Sequence, residues 1–266
     1  MEHSLVEMSA SARLWGELWG DRPREWAGTE EQQRPVYEAA LERVGLGAGD
    51  RVLDVGCGTG VFLRLCADRG AEVSGLDASE NLLAVARGRV PGADLRHGDM
   101  SALPFADNTF DLVTGFTSFF FADDMVEALR EAGRVARPGA PVVIEVFGAP
   151  ERCELERVKG AIAPFRPPGE DGEEVRYWRP GMVAELAATA GLDVVEAFTC
   201  ETAYAYPDEE RFLAAMLAAG GAGAVAGPDR EPELRAALVA ALAGCRRPDG
   251  SYRIGNEWEV VIARAA

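Results

Sequence analysis

Apolar residues in this chain come in short runs, most of them ending at an acid or a glycine, and helically spaced segments separate them. The runs at residues 51–55, 71–77, 93–99, 110–116 and 141–147 predict five strands, and a sixth and a final strand follow at 191–198 and 251–264. Between them, 61–69, 80–89 and 123–136 have the spacing of helices, the last closed by Pro138-Gly139. Strands alternating with helices require a largely parallel sheet built from crossovers, and ligands of such sheets sit beyond the carboxyl ends of the strands. Two stretches interrupt the alternation. The first, at about 148–178, has one helical segment and then the loop-like Arg166-Pro-Pro-Gly-Glu-Asp-Gly. The second, at about 206–247, has two alanine-rich helices around Gly220-Gly-Ala-Gly. Insertions at these points fall above the ligand edge and predict a cap that admits a small acceptor and obstructs a polymer.

Residues 11–46, ahead of the first strand, read as mostly helical and place Trp15, Trp19, Trp26 and Tyr37 among charged residues. They form either a helical face packed on the core or part of a ligand cover. The expected organisation is an N-terminal helical segment, 1–46, and one α/β domain, 47–266, a size that buries a substantial core.

Composition narrows the partners. Forty-four acids against 27 bases give a net charge of −17, and Lys159 is the only lysine. Such a surface repels phosphate backbones, so nucleic acid is not an expected partner. No apolar run reads as long enough to span a bilayer and the first ten residues do not read as a secretion signal. The sequence therefore predicts a cytoplasmic protein without a membrane partner. Cys57, Cys66, Cys153, Cys200 and Cys245 are scattered without a Cys-x-x-Cys pair, so neither a metal site nor a disulfide framework is expected.

The chemistry concentrates at Asp54-Val-Gly-Cys-Gly-Thr-Gly60. Glycine at every second position lets the backbone turn tightly and lets a ligand lie against bare main chain. An acid at the mouth of the turn suits an ammonium or hydroxyl group, whereas a phosphate cradle needs free N–H groups and no carboxylate. Asp77, about 20 residues beyond the turn at the end of the second strand, is placed to take both hydroxyls of a ribose. Asp99 ends the third strand-like segment, where an adenine amino group would meet it.

With these residues in order, the chain resembles the class I S-adenosylmethionine-dependent methyltransferases, in the small-molecule group that includes ubiquinone and menaquinone methyltransferases. Residues 54–60 match that family's Asp-x-Gly-x-Gly-x-Gly signature, Asp77 its ribose acid and Asp99 its adenine-side acid, and 134–143 match its turn into the fifth strand. The resemblance covers about residues 37–147. It implies a Rossmann-like, doubly wound, seven-stranded, mostly parallel sheet with helices on both faces and a helical cap formed by the insertions. It implies S-adenosyl-L-methionine as cofactor, S-adenosyl-L-homocysteine as product, and Asp54, Gly56, Cys57, Gly58, Gly60, Asp77, Ala78, Gly98, Asp99, Met100 and Phe116 as cofactor-binding residues. In that family the leading segment often folds over the cofactor as a lid. Trp26, Tyr37, Thr117, Phe120, Phe147, Trp178 and Tyr204 are the residues assigned to an apolar or aromatic acceptor.

Transfer of a sulfonium methyl is an in-line displacement in which positioning contributes most, so a general base is needed only for a protonated acceptor. The two histidines do not supply one: His3 is at a terminus and His97 lies beside the adenine end. Glu145, Glu201 and Tyr204 remain possible bases, and no catalytic residue is assigned. The expected protein is a monomer or homodimer acting on a small molecule, in secondary or quinone-like metabolism. A non-methylating relative of the fold, a cyclase or cofactor-binding scaffold, is the alternative. A nicotinamide or flavin oxidoreductase is disfavoured by Asp54 and by the absence of a Gly-x-Gly-x-x-Gly spacing.

Overall fold

The computed structural model describes residues 8–165 and 179–266. Three helices come first: α1 (Ala10–Trp19), α2 (Pro23–Glu30) and α3 (Arg34–Val44). The alternating unit then runs β1 (Arg51–Val55), α4 (Val61–Ala67), β2 (Glu72–Asp77), α5 (Glu80–Arg89), β3 (Asp94–His97), β4 (Leu112–Phe116), α6 (Met125–Val135) and β5 (Pro141–Phe147). After α7 (Glu156–Ile162) come α8 (Met182–Thr189), β6 (Asp193–Tyr206), α9 (Glu209–Ala218), α10 (Ala222–Ala241) and β7 (Tyr252–Arg264).

The strands form one seven-stranded sheet in the order β3-β2-β1-β4-β5-β7-β6, with β7 antiparallel to both of its neighbours and every other pairing parallel. This is the doubly wound, mostly parallel sheet that the alternation implied. Side chains alternate along each strand, and each face has its own core. Val142, Ile144 and Val146 of β5 join the cluster that includes Leu129 of α6 and Val183 of α8. Val143 joins the other, with Tyr37 of α3, Phe62 of α4, Phe212 of α9 and Leu238 of α10. Helix ends follow sequence chemistry: Ser79 caps α5 through Oγ, Glu80 sits in its first turn, and Arg87 and Arg89 sit in its last, complementing the helix dipole.

Two strand readings are corrected. The third strand stops at His97, leaving Asp99 in the loop beyond it. The sixth runs on from Phe198 to Tyr206, because β7 is longer than β5. Phe147, the last residue of β5, pairs with Trp258, while residues 252–257 of β7 pair with 201–206 of β6 beyond that point. These overhanging halves form a two-stranded ribbon past the ligand edge, and α9 and α10 connect its ends. Gly255 and Asn256 pair in register with Ala203 and Thr202, and the irregularity in the β6–β7 pairing falls outside this ribbon, between Val194 and Glu196.

The stretch Glu209–Ala241 is long and apolar enough to cross a membrane by length and composition, and 56% of its most apolar window is buried inside the protein. It exceeds the apolar length expected from the sequence, although Gly220, Gly221 and Gly227 break it with left-handed backbone.

Candidate active site

The glycine turn lies where β1 meets α4. Gly56, Gly58 and Gly60 all have positive φ (75°, 54° and 81°). A side chain at Gly56 would meet the Ser118 Cβ at 2.4 Å. Asp54 ends up on the sheet face shared by Thr114, Phe116, Val143 and Glu145, 3% exposed, with Oδ1 accepting the Thr114 hydroxyl at 2.7 Å. Burial pushes its carboxyl up to about 8 against the Thr114 hydrogen bond, and the nearby Glu30 and Asp77 carboxylates add to the rise.

Asp77 lies at the carboxyl end of β2 and ties the turn to the next helix. Its Oδ2 accepts the Gly58 N–H and its Oδ1 the Ser79 N–H, both at 2.8 Å. Burial raises this carboxyl while those two N–H groups oppose the rise. Asp99 takes the Ser101 N–H at 2.8 Å and the Ser9 N–H at 2.9 Å. Burial pushes it up, but those hydrogen bonds hold it below its ordinary value.

A cavity of about 30 Å³ connects Asp77 and Asp99 but is not lined by Asp54; its walls include Ser9, Trp15, Gly56, Ala78, Gly98 and Met100. Six of the assigned cofactor residues therefore line one space. Gly58 and Gly60 shape the turn without lining it, and the Cys57 side chain points into the small core of Leu63, Leu83 and Val90. Phe116 is also buried, its ring 4.6 Å from Tyr37 and 4.8 Å from Phe62. A larger hollow of about 320 Å³, lined by Arg51, Asp94, Arg96 and Phe105, lies toward the amino ends of the strands, away from the acids.

The cavity is small because α1 fills the space above it. Gly16 packs so closely that an added Cβ would lie 2.1 Å from the Ala78 carbonyl oxygen, and Trp15 meets Phe121 at 4.5 Å. A space of about 30 Å³ has room for a water or two and not for an adenosine. An adenosine needs α1 to move outward.

Sequence reasoning missed Glu30. This residue of α2 is 5% exposed, and its carboxylate accepts the Thr59 N–H at 2.9 Å, the Thr59 hydroxyl at 2.8 Å and the Val61 N–H at 3.3 Å. It caps α4 from a helix remote in sequence, so no local motif announces it. Ser9, which meets Asp99, was equally hidden.

The acceptor-side residues fall into two groups. Tyr37 and Tyr204 are buried and linked through Gln33: the Tyr37 hydroxyl donates to Gln33 Oε1 at 2.7 Å and Gln33 Nε2 donates to the Tyr204 hydroxyl at 2.9 Å. Trp26 lies edge-on to Trp19 at 4.7 Å, Trp19 reaches Phe121 at 5.9 Å, and Phe120 bridges Phe121 (4.5 Å) and Phe147 (6.0 Å). Thr117 joins neither group, and its hydroxyl donates to Glu145 Oε2 at 2.5 Å. Trp178 lies outside the described residues. Among the described residues no group of acids, cysteines and histidines is placed to hold a metal ion.

Comparison with known proteins agrees with this geometry. Residues 53–144 match a methyltransferase domain model. A demethylmenaquinone methyltransferase of Renibacterium salmoninarum is 40% identical over 119 residues, 45% of this chain and 50% of that protein. A malonyl-[acyl-carrier protein] O-methyltransferase of Enterobacter lignolyticus is 34% identical over 132 residues, 50% of this chain and 53% of that protein. The chain thus spans about half the length of these relatives. The solved structure of a Haemonchus contortus phosphoethanolamine N-methyltransferase, in complex with phosphomonomethylethanolamine and S-adenosylhomocysteine, shares the fold. Its TM-score is 0.58 at 19% identity, covering 94% of this chain and 59% of that one. Glycine turn, strand-end acids, sheet order and matched domain agree: residues 53–144 form a methyltransferase domain, and the chain is similar to class I S-adenosylmethionine-dependent methyltransferases, with menaquinone-methyltransferase-like relatives.

Proposed function

We propose that the protein transfers the methyl group of S-adenosylmethionine to a small acceptor with an apolar or aromatic body, releasing S-adenosylhomocysteine. The convergence of Asp77, Gly98, Asp99 and Met100 on one cavity beside the glycine turn carries this reading. The residues fit the cofactor: Asp77 takes the ribose hydroxyls, Asp99 the adenine side, and Asp54, buried without a basic partner among the described residues, the ammonium group. When bound, the cofactor supplies a methyl group on a positively charged sulfur. The chain holds the acceptor in line with it, excludes water beneath α1, and places Phe116 between the cofactor side and the acceptor side of one sheet face.

The aromatic run from Trp19 through Phe121 and Phe120 to Phe147 supports an apolar acceptor. Within the expected lid, 1–46, and cap, about 148–178 and 206–247, the described parts 8–46, 148–165 and 206–247 serve as lid and cap, which favours a small molecule over nucleic acid or protein; 1–7 and 166–178 lie outside the described residues. Titration calorimetry of S-adenosylmethionine into wild type and Asp77→Ala tests the reading. Micromolar binding that weakens by about tenfold or more is expected, the scale of a charge-assisted hydrogen bond. Absence of heat from wild type with both S-adenosylmethionine and S-adenosylhomocysteine would refute it.

A further inference from the structure

Glu145 is the buried group that the cofactor site leaves unexplained. It stands on β5 level with Phe116, the last residue of β4, and is 1% exposed. Its Oε2 is held by the Thr117 hydroxyl, and its Oε1 is buried with no hydrogen-bond partner among the described residues. Leaving a buried carboxyl oxygen unpaired is costly, on the order of 1–3 kcal/mol or more. The residue that holds it is itself strained: Thr117 has φ of 52°, a left-handed conformation unfavourable for a β-branched side chain. Strain and an unpaired polar atom occur together at the end of β4, a combination that marks functional positions.

Among the described residues, the titratable groups within electrostatic reach of Glu145 are Asp54 from β1, Tyr37 from α3, and Cys200 and Tyr204 from β6. None of them is a cation. Burial pushes the Glu145 carboxyl up to about 8, against its Thr117 hydrogen bonds and with Asp54 adding to the rise. Aromatic rings dominate the same face, with Tyr37 against Phe116 and with Phe147 and Tyr204 both against Trp258. Asp54 and Glu145 flank Phe116 from opposite strands, so one acid serves the cofactor side and leaves the other to the acceptor.

We propose that Glu145 is the acceptor-binding base, its free Oε1 taking the proton of an O–H or N–H nucleophile on an aromatic body. This rests on the methyltransferase reading. As the nucleophile's lone pair forms the bond to the methyl carbon, the carbon–sulfur bond breaks and its electron pair stays on sulfur. The heteroatom proton passes to Oε1, and the neutral carboxyl returns it to solvent after release.

The test uses the full chain loaded with S-adenosylhomocysteine for binding and with S-adenosylmethionine for turnover, as wild type, Glu145→Gln and Glu145→Asp. The probes are 2-naphthol, 2-aminonaphthalene and the proton-free control 2-methoxynaphthalene. A protic probe should bind about tenfold tighter than the control, a difference of roughly 1.4 kcal/mol. Whichever of the two it is identifies the acceptor as hydroxyl or amine. Glu145→Gln should abolish that preference and lower turnover by about 10²–10⁴-fold, the range of general-base catalysis. Cofactor affinity should stay unchanged in that variant, and Glu145→Asp should recover part of the activity. In wild type the rate should rise with pH toward about 8, and Glu145→Gln should lose that rise. Equal binding of protic and methoxy probes, no binding of any, or a preference that survives in Glu145→Gln overturns the inference. Failure of wild type to bind the cofactor, with the probe preference intact in the unloaded protein, would instead sink the methyltransferase reading.

Discussion

Buried carboxylates set the behaviour of individual residues in this protein. Asp54 and Glu145 are both pushed up to about 8 by burial and lie on one sheet face. If Asp54 takes the cofactor's ammonium group, as proposed, that cation favours the charged carboxylate, and binding below pH 8 should release a proton. Affinity for S-adenosylhomocysteine should therefore rise with pH, by about tenfold per unit at most, and level off near pH 8. Calorimetry in buffers of different ionisation heat measures the proton directly, and Asp54→Asn should remove it. Glu145 gives the matching stability effect. Its folded-state value lies above that of the unfolded chain, so the folded state keeps a proton that the unfolded state loses. The contribution is full below the ordinary glutamate range and is lost as pH rises to about 8. Glu145→Gln escapes this loss, so its melting temperature relative to wild type should increase between about pH 5 and pH 8.

At the scale of elements, α1 packs over the cavity between Asp77 and Asp99, and on the proposed function it gates that cavity. Its contact with the turn between β2 and α5 depends on Gly16, where a methyl group would collide with the Ala78 backbone at 2.1 Å. Backbone cannot yield as a flexible side chain can, so Gly16→Ala must lift the helix. Limited proteolysis should cut the 8–20 segment of that variant faster than wild type, and cofactor affinity should change while the sheet stays folded. Glu30 links α2 to the first turn of α4 through three hydrogen bonds. Glu30→Ala leaves the Thr59 and Val61 N–H groups without this buried acceptor. A loss on the order of 1–3 kcal/mol in denaturant unfolding is expected, and Glu30→Gln should recover part of it.

Across the whole molecule, the N-terminal segment is fastened to the helices inserted between β6 and β7. Arg22 bonds Glu231 of α10 at 2.6 Å, and Leu18 packs against the backbone of Gly221, where an added Cβ would come within 2.7 Å of it. The ion pair is partly exposed, so its contribution to stability is about 0–1 kcal/mol. Its position matters more: it spans the two segments that must separate for α1 to move. Arg22→Met should therefore speed cofactor association and dissociation severalfold in stopped-flow measurements and barely change the melting temperature. Unchanged rates would mean that α1 opens without parting from α10.

The sequence by itself determined the alternating core of this protein, because strand and helix periodicity, caps and glycine turns are local properties. Helix α5 and strand β5 have the bounds that local pattern predicts, at 80–89 and 141–147. Asp54, Asp77 and Asp99 were legible because each closes an apolar run at a fixed interval from the glycine turn. Tertiary structure alone decided the rest. The length of β6 depends on how far β7 overhangs β5, which no property of 193–206 reveals. Glu30 reaches the glycine turn from 29 residues away, and Ser9 reaches Asp99 across 90. In sequence Glu145 is one acid within a strand. Only its burial, with Oε1 unpaired among the described residues and Asp54 on the same face, distinguishes it from an ordinary surface carboxylate. Desolvation and pairing depend on what surrounds a side chain in space, and packing between distant segments sets those surroundings.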